Sequence, residues 1–524
     1  TKEEHMKKYL ASCDLLEVIQ WPKKLRGRYI LEALEKLLMS GDAFTLTTSD
    51  QLYRACQKSQ KELRHNVFQA DRAFLIRNEF LVQEGQRLYF WKTSRYEGIA
   101  AEFLSDILRN NHLPASTLPE MLTSNGIPLT TEQRDAVQMA LGCRLSIILG
   151  GAGTGKSTLI QALTAYRSQN TGYVLCAPTG KAACNLRVRS GLDVRTVHGA
   201  LGLRPEEDFL QPIPWEYNKL VVVDEASMMT LEMLAGILIK MPSDCRLVLV
   251  GDPNQLQSVG SGNVLPDLLE LGIPYVRLEI CHRQEADATA LLHNVRRFDQ
   301  CRHVSDLLLG QDFQFLQMNR EEEVKSYICN AAASHYLQGD SVQVLSPFNV
   351  ATDLSVRALN ADLHRRVNLQ STLSVRTPQN ELLWDGDRVM VTENDWEVGV
   401  CNGDIGTLNL LNIEKEKTTY SLTLPTGQLA AWYNQPVVRT LTQAYAITVH
   451  KSQGSEYDTV YLPIMRNFSG MMNRNLLYTA ISRGKKQVVL VGDPDTLELA
   501  LQKLPPKRRS MLVQKTHMCL EKSA

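Results

Sequence analysis

The run Gly150-Gly151-Ala152-Gly153-Thr154-Gly155-Lys156-Ser157-Thr158 constrains this chain more than any other stretch. It follows an apolar, strand-like segment, Leu145 to Leu149, and leads into a helix-like one, Leu159 to Tyr166. A glycine-rich turn between strand and helix, in the pattern G-x-x-x-x-G-K-[ST], is a phosphate-binding loop. Its backbone N–H groups converge on a β-phosphate, and the helix N-terminus adds the positive end of its dipole. Gly150 through Thr158 would then hold a nucleoside triphosphate. Lys156 would reach the β- and γ-phosphates, and Ser157 would offer its hydroxyl to Mg²⁺. The loop demands an α/β fold, and leaves open what the bound energy does.

A chain of 524 residues is too long for one ordinary domain, and length alone predicts about three or four. No run of residues approaches the ~18 consecutive apolar positions of a membrane span. The first residues, Thr1-Lys2-Glu3-Glu4-His5, are charged and carry no apolar signal region. They include no initiator Met, which suggests a processed or trimmed chain. The eleven cysteines are scattered, with no C-x-x-C pair, so a reducing cytoplasm is expected rather than a disulfide framework or zinc module. Lys plus Arg equals Asp plus Glu, at 57 each. Any nucleic-acid role therefore needs a local basic groove, not a global charge.

Residues 1–125 are predicted to be mostly helical. Tyr29 to Leu38 has amphipathic spacing. Thr48 suits the N-cap of a helix running through Cys56 and Lys58. Val67, Ala70 and Phe74 share one helical face, and Phe80–Gln83 and Arg87–Trp91 flank a turn at Glu84-Gly85. Helices followed by a hairpin give a winged-helix-like order, which also suits a module that packs or binds a partner without touching DNA. Pro114, Pro119 and Pro128 mark a linker. Strands at Leu145–Leu149, Tyr173–Ala177, Leu220–Val223 and Arg246–Val250 then alternate with helices, the rhythm of a parallel sheet. A second set lies at Val342–Leu345, Val460–Leu462 and Gln487–Val491. A β-rich insert at 385–437 contains a turn at Asn402-Gly403 and a hairpin at Pro425-Thr426-Gly427.

Leu220-Val221-Val222-Val223-Asp224-Glu225 supplies the second half of a triphosphate site. Asp224 would hold Mg²⁺, and Glu225 would orient and deprotonate the attacking water. Gln255, in Gly251-Asp252-Pro253-Asn254-Gln255, follows another strand, where ligands bind in open α/β sheets.

In order, these motifs resemble those of superfamily-1 helicases of the RecD-like, 5′ to 3′ class, over about residues 129–515. In Leu129-Thr130-Thr131-Glu132-Gln133 the resemblance implies that Gln133 reads adenine. Ala177-Pro178-Thr179-Gly180-Lys181 and Arg195-Thr196-Val197-His198 resemble DNA-contact motifs. They imply contacts by Pro178, Thr179, Gly180, Lys181, Thr196 and His198. Cys281-His282-Arg283-Gln284 is similar to a segment whose arginine, here Arg283, meets the γ-phosphate. Ala446 to Glu456 resembles the fifth motif, implying DNA contacts at Thr448, His450 and Lys451 and a ribose contact at Glu456. Tyr478 to Gly484 resembles the sixth, with Arg483 as arginine finger. Asn349-Val350-Ala351-Thr352-Asp353 replaces the basic and glycine residues usual near the fourth motif. Gln211-Pro212-Ile213-Pro214 stands where the family carries a short strand-splitting hairpin.

The resemblance implies an α/β architecture of two RecA-like P-loop NTPase lobes with an SH3-like barrel insert. The expected domains are a helical, winged-helix-like region 1–125, a first lobe 126–278 (short hairpin insert about 202–218), and a second lobe 279–384 and 438–500. That second lobe is interrupted by the insert 385–437 and followed by a basic tail 501–524. The implied activity is ATP- and Mg²⁺-dependent unwinding of DNA in repair or recombination by a cytoplasmic monomer. The partners implied are single-stranded DNA, single-strand/duplex junctions, and single-stranded-DNA-binding or recombination proteins. Two rivals share the motifs: a RecD-type subunit of a helicase–nuclease, and a DNA-stimulated ATPase that remodels complexes without unwinding. A passive nucleotide scaffold would have no use for Glu225.

Overall fold

The computed structural model describes residues 25–39, 47–114, 122–124, 126–167, 172–204, 207, 209, 215, 219–279, 289–350, 352–395, 397–413, 417–435, 438–506 and 508–522. Arg283, Lys507 and the segment Gln211–Pro214 lie outside them.

Strand Leu145–Gly150 sits inside a six-stranded, wholly parallel sheet. Across it the order is Tyr275–Leu278, Leu145–Gly150, Arg246–Gly251, Lys219–Val223, Gly172–Ala177 and Val194–Thr196. The central strands are apolar throughout because both faces are covered. Leu145, Ile147, Leu149, Val221, Val223, Leu247 and Leu249 pack on helices Trp91–Arg109 and Leu231–Lys240. Ile148, Leu220, Val222, Val248 and Val250 face Thr131–Gly142, Lys156–Tyr166 and Gly180–Ser190. This alternation by one residue is the two-residue period of a strand. Since Trp91–Arg109 belongs to this core, the first lobe reaches further towards the N-terminus in packing than a boundary at 125 allows.

A second, five-stranded parallel sheet has the order Phe313–Gln317, Gly484–Gly492, Tyr457–Ile464, Val342–Ser346, Ala446–Thr448. Its core also takes in Leu256, from the loop after Arg246–Gly251 of the first lobe. The two lobes are therefore in direct contact.

The insert is a five-stranded antiparallel sheet: Arg388–Val391, Ile405–Ile413, Thr418–Thr423, Leu429–Gln435 and Leu441–Gln443. The last strand pairs with the first, so this sheet extends past residue 437. Tyr420 and Trp432 stack at 5.0 Å inside it. Its root is Asp387, fully buried, which lies 2.7 Å from His364 Nδ1 and accepts from Asn368 and Tyr445 of the second lobe and from Gln443 of the insert's last strand.

At the N-terminal end, helices Arg28–Met39, Ser49–Ser59 and His65–Arg77 pack on a three-stranded sheet in the order Thr47–Thr48, Arg87–Phe90, Leu81–Glu84. Thr48 forms a capping box with Gln51, as a helix-start residue should. On His65–Arg77 the buried stripe is Phe68, Asp71 and Leu75, with Val67 exposed, one position on from the face read in the sequence. Asp71 turns the helix inward because it accepts from Arg26 (2.7 Å) and Tyr29 (3.0 Å).

One residue of the basic tail, Arg508, is drawn out of solvent. Arg508 is buried and donates to Ser258 Oγ (2.9 Å) and to the carbonyls of Gly262 (3.0 Å) and Ser258, under the loop that carries Gln255. Burial lowers its pKa to about 9. Helix Leu512–Lys522 then packs on Trp91–Arg109, with Lys515 paired to Glu84 and Glu97. Among the described residues no helix is long and apolar enough to cross a membrane.

Candidate nucleotide site between the lobes

Gly155 adopts φ +79°, a left-handed conformation natural to glycine, and caps the helix that Lys156 begins. This turn folds Lys156 back over the loop, where its Nζ donates to the carbonyls of Gly150 and Gly151, both at 2.8 Å. Thr154 Oγ1 closes the loop onto Gly151 O at 3.0 Å. Ala152 through Ser157 line a cavity of about 330 Å³. Gly150 and Gly151 lie behind it as the carbonyl anchor, and Thr158 stands on the helix.

The first lobe adds Asp224, Glu225, Gln255 and Arg189 to this cavity, and the second adds Gly454, Glu456 and Arg483. Asp224 and Glu225 directly follow strand Lys219–Val223. Glu225 has φ +53°, a conformation that costs a non-glycine residue ~1–3 kcal/mol and that clusters at functional sites. Asp224 Oδ1 and Gln255 Oε1 are buried and have no hydrogen-bond partner in the protein. Orphaned oxygens in a polar cavity call for a ligand. Asp224 Oδ1, with the Ser157 hydroxyl on the same cavity wall, fits a hard cation that takes oxygen donors.

Burial, then the neighbouring Glu225 charge, push the Asp224 carboxyl up to about 6, against the pull of Lys156. Its ordinary value is 3.8. A carboxyl raised on folding contributes stability that is full below the unfolded pKa and is lost as pH rises through the folded one. The loss at Asp224 therefore falls between about pH 4 and pH 6. Asp224→Asn removes it, and should stabilise the nucleotide-free protein at pH 7.5. Thermal melts of both proteins at pH 7.5 and pH 4 check this. The variant should melt higher only at the upper pH, and equal melting points there would contradict the assignment.

Arg483 is buried and preset by its own lobe. Its guanidinium donates to Thr479 O (3.1 Å), Ser455 O (3.1 Å) and Ser482 Oγ (3.1 Å). The loop after Arg246–Gly251 is fastened to the same segment. Tyr478 OH donates to Asp252 (2.8 Å), Leu256 N donates to Thr479 Oγ1 (2.9 Å), and Asn475 donates to Gln255 O (2.9 Å). Gln453 donates to Leu256 O at 3.1 Å. The arginine segment of one lobe and the Gln255 loop of the other are thus one bonded unit.

The remaining sequence-derived residues are placed unevenly. Glu456 is at the cavity but pairs with Arg189 across the lobes at 3.1 Å. Arg189 was missed in the sequence, where it is one of the basic residues closing helix Gly180–Ser190. Gln133 is not among the residues that line the cavity. Its carboxamide oxygen accepts from Thr130 N at 3.1 Å, because Thr130-x-x-Gln133 forms a capping box. Arg283 lies outside the described residues.

Thr179, Thr196 and Thr448 stand at or just beyond the C-terminal ends of strands Gly172–Ala177, Val194–Thr196 and Ala446–Thr448. Their hydroxyls accept from the N–H groups of Ala182, Gly199 and Lys451. Val194–Thr196 and Ala446–Thr448 are each the edge strand of their sheet. His198 packs on Phe209 at 4.8 Å, and burial lowers its pKa. Burial and Arg508 do the same to His450, and burial also lowers the pKa of Lys451, although part of its surface is exposed. Pro178 and Gly180 are buried, and Lys181 is paired with Asp404 of the insert at 2.7 Å. Thr448 is buried as well, whereas Thr179, Thr196, His198, His450 and Lys451 keep exposed surface.

A family model described as an AAA domain matches residues 128–308, and one described as a UvrD-like helicase C-terminal domain matches residues 443–491. The RecBCD enzyme subunit RecD of Mycolicibacterium smegmatis is 30% identical over 419 residues, covering 71% of this chain and 72% of the relative. The ATP-dependent RecD2 DNA helicase of Deinococcus radiodurans is 31% identical over 399 residues, covering 74% of this chain. The match takes in 52% of that longer relative, so the chain spans about half its length. Among solved structures, the Pif1 helicase from Bacteroides in complex with ADP-AlF3 and ssDNA aligns with a TM-score of 0.45 at 17% identity, over 76% of this chain and 98% of that one. With a phosphate loop, an Asp-Glu pair and a second-lobe arginine around one cavity, and with sequence kinship over most of its length, this chain belongs to the RecD family of superfamily-1 DNA helicases.

Proposed function

We propose that this ATP-dependent DNA helicase moves 5′ to 3′ along single-stranded DNA and unwinds duplex by opening and closing the cavity between its lobes. The observation that carries the reading is the division of the cavity's residues. Lys156, Ser157, Asp224, Glu225 and Gln255 come from one lobe, and Glu456 and Arg483 from the other. A triphosphate is completely surrounded only when the lobes are together.

In this reading the loop from Gly150 to Thr158 cradles the phosphates, and Lys156 leaves its carbonyls for the β- and γ-phosphate oxygens. Ser157 and Asp224 would hold Mg²⁺, which when bound neutralises phosphate charge. Glu225 orients the attacking water and takes its proton. Gln255 senses the γ-phosphate, and Arg483 stabilises the charge that spreads over the transferring group. Arg283 would join it from the second lobe. Glu456 meets the ribose once Arg189 releases it.

Thr179, Thr196, His198, Thr448, His450 and Lys451 would grip the DNA backbone. Phosphate contacts of this kind position a strand without reading its sequence. The five-stranded insert is read as an SH3-like clamp, and the N-terminal helices and hairpin as a winged helix. Action as a cytoplasmic monomer alongside single-stranded-DNA-binding or recombination proteins completes the proposal. The second reading, a RecD-type subunit that works inside a helicase–nuclease, draws on the Mycolicibacterium relative.

Unwinding of matched duplexes with 5′ or 3′ single-stranded tails tests the polarity. The purified chain should open the 5′-tailed substrate and leave the 3′-tailed one closed. Preference for the 3′ tail would overturn the direction, and DNA-dependent hydrolysis with neither substrate opened would favour a DNA-stimulated ATPase that remodels complexes without unwinding.

A further inference from the structure

Helix Gly180–Ser190 of the first lobe carries Gly180 and Cys184 one turn apart, on the same face. That face meets the insert. A Cβ on Gly180 would stand 2.5 Å from Asn394 Oδ1 and 3.3 Å from Cys401 Cβ, so a larger residue there would require Asn394 to shift. Beside it, Lys181 Nζ pairs with Asp404 Oδ1 at 2.7 Å, and the other oxygen of Asp404 accepts from Cys401 N at 2.8 Å. Cys184, one turn further on along the same face, stands beside this contact, and its thiol interacts with that of Cys401. Both are reduced.

We propose that Cys184 and Cys401 are a redox site that a peroxide converts to a disulfide, stapling the insert to the first lobe and stopping the motor.

The two sulfurs are unequal in a way that suits the chemistry. Contact with Cys401 lowers the Cys184 pKa, helped by Lys181 and Arg187 and opposed by burial and Asp404. The same contact, with burial, holds Cys401 well above the usual thiol range. Cys184 is half-buried and Cys401 buried. Cys184, the more accessible of the two, is therefore the attacking thiol and Cys401 the resolving one. By contrast, burial raises Cys56, Cys143, Cys176, Cys245, Cys301 and Cys329, which makes them poor nucleophiles.

In the first step Cys184 sulfur attacks one peroxide oxygen. The O–O bond breaks, and the leaving hydroxide takes up a proton to become water. Cys184 is now a sulfenic acid. Cys401 sulfur then attacks Cys184 sulfur, the S–O bond breaks, and the departing hydroxide leaves as water with the Cys401 proton. Two thiols and one hydrogen peroxide give one disulfide and two waters, and a dithiol reductant reverses the oxidation.

The bond would fix the helix that begins at Thr179 to an insert rooted in the second lobe at Asp387. The effect on the motor rests on the proposed helicase cycle, in which these parts move; the bond itself does not. The test treats the purified chain with hydrogen peroxide before DNA is added, then maps peptides and measures unwinding. A cross-linked peptide joining Cys184 to Cys401 is expected, lighter by two hydrogens than the separate thiols. Unwinding should fall with the extent of cross-linking and return on addition of dithiothreitol. The Cys401→Ser variant should unwind normally, form no cross-link and keep its unwinding in peroxide. Absence of the cross-link in the unmutated chain overturns the site, whether or not the chain unwinds DNA. A cross-linked protein that unwinds at full rate, or a C401S variant inactivated as fully as the unmutated chain, overturns the latch.

Discussion

Arg483→Lys should lower the maximal rate of ATP hydrolysis by about 10³-fold or more, the range an arginine finger supplies in related phosphoryl transfers. ATP binding should stay close to that of the unmutated chain. The guanidinium is fixed by Thr479, Ser455 and Ser482 while lining the cavity that holds Lys156 and Glu225. Lysine keeps the charge but loses the planar fork that can meet those carbonyls and a phosphoryl group together. It also avoids leaving a void among buried carbonyls, so the lobe should fold. Steady-state hydrolysis and titration with a fluorescent ATP analogue separate turnover from binding. Equal losses in both would assign Arg483 a structural role only.

Lys156→Ala should abolish hydrolysis and weaken ATP binding, with a circular-dichroism spectrum like that of the unmutated chain. The Lys156 ammonium bonds to the carbonyls of its own loop, and its charge also favours the buried Asp224 and Asp252 carboxylates, so its removal raises their pKa values without breaking a direct ion pair. The loop keeps its Thr154–Gly151 bond. What disappears is a preplaced positive charge at the phosphates, and groups of that kind are worth about 10²–10³ in rate or more. Turnover unchanged by this substitution would remove the phosphate loop from the mechanism.

The sequence makes the nucleotide loop legible because its chemistry is local. Gly155, Lys156 and Ser157 act through backbone turns and a helix start that neighbouring residues determine. The strands around it are legible for a related reason: burial on both faces leaves Leu145–Gly150 and Lys219–Val223 as continuous apolar runs. Residues whose roles depend on distant partners are less legible. Nothing near Arg189 foretells Glu456, nor does anything near Lys181 foretell Asp404, because each pair closes only when separate parts of the chain dock. Arg508 reads as a solvated charge until its partners Ser258 and Gly262 are known. Gln133 is ambiguous for a local reason. The same spacing serves a capping box and an adenine contact, and its carboxamide oxygen here serves the cap.

The bonds from Tyr478, Thr479 and Asn475 to the Gln255 loop tie the cavity to the relative position of the lobes. A strand gripped at both Thr196 and Thr448 would touch both lobes at once, so it should set that position and thereby the rate of hydrolysis. The direct measurement is steady-state ATP hydrolysis by the purified chain with and without a single-stranded oligothymidylate. Hydrolysis slow without DNA and strongly accelerated by it is the expected result. The same rate in both conditions would contradict a cavity gated by DNA across the two lobes.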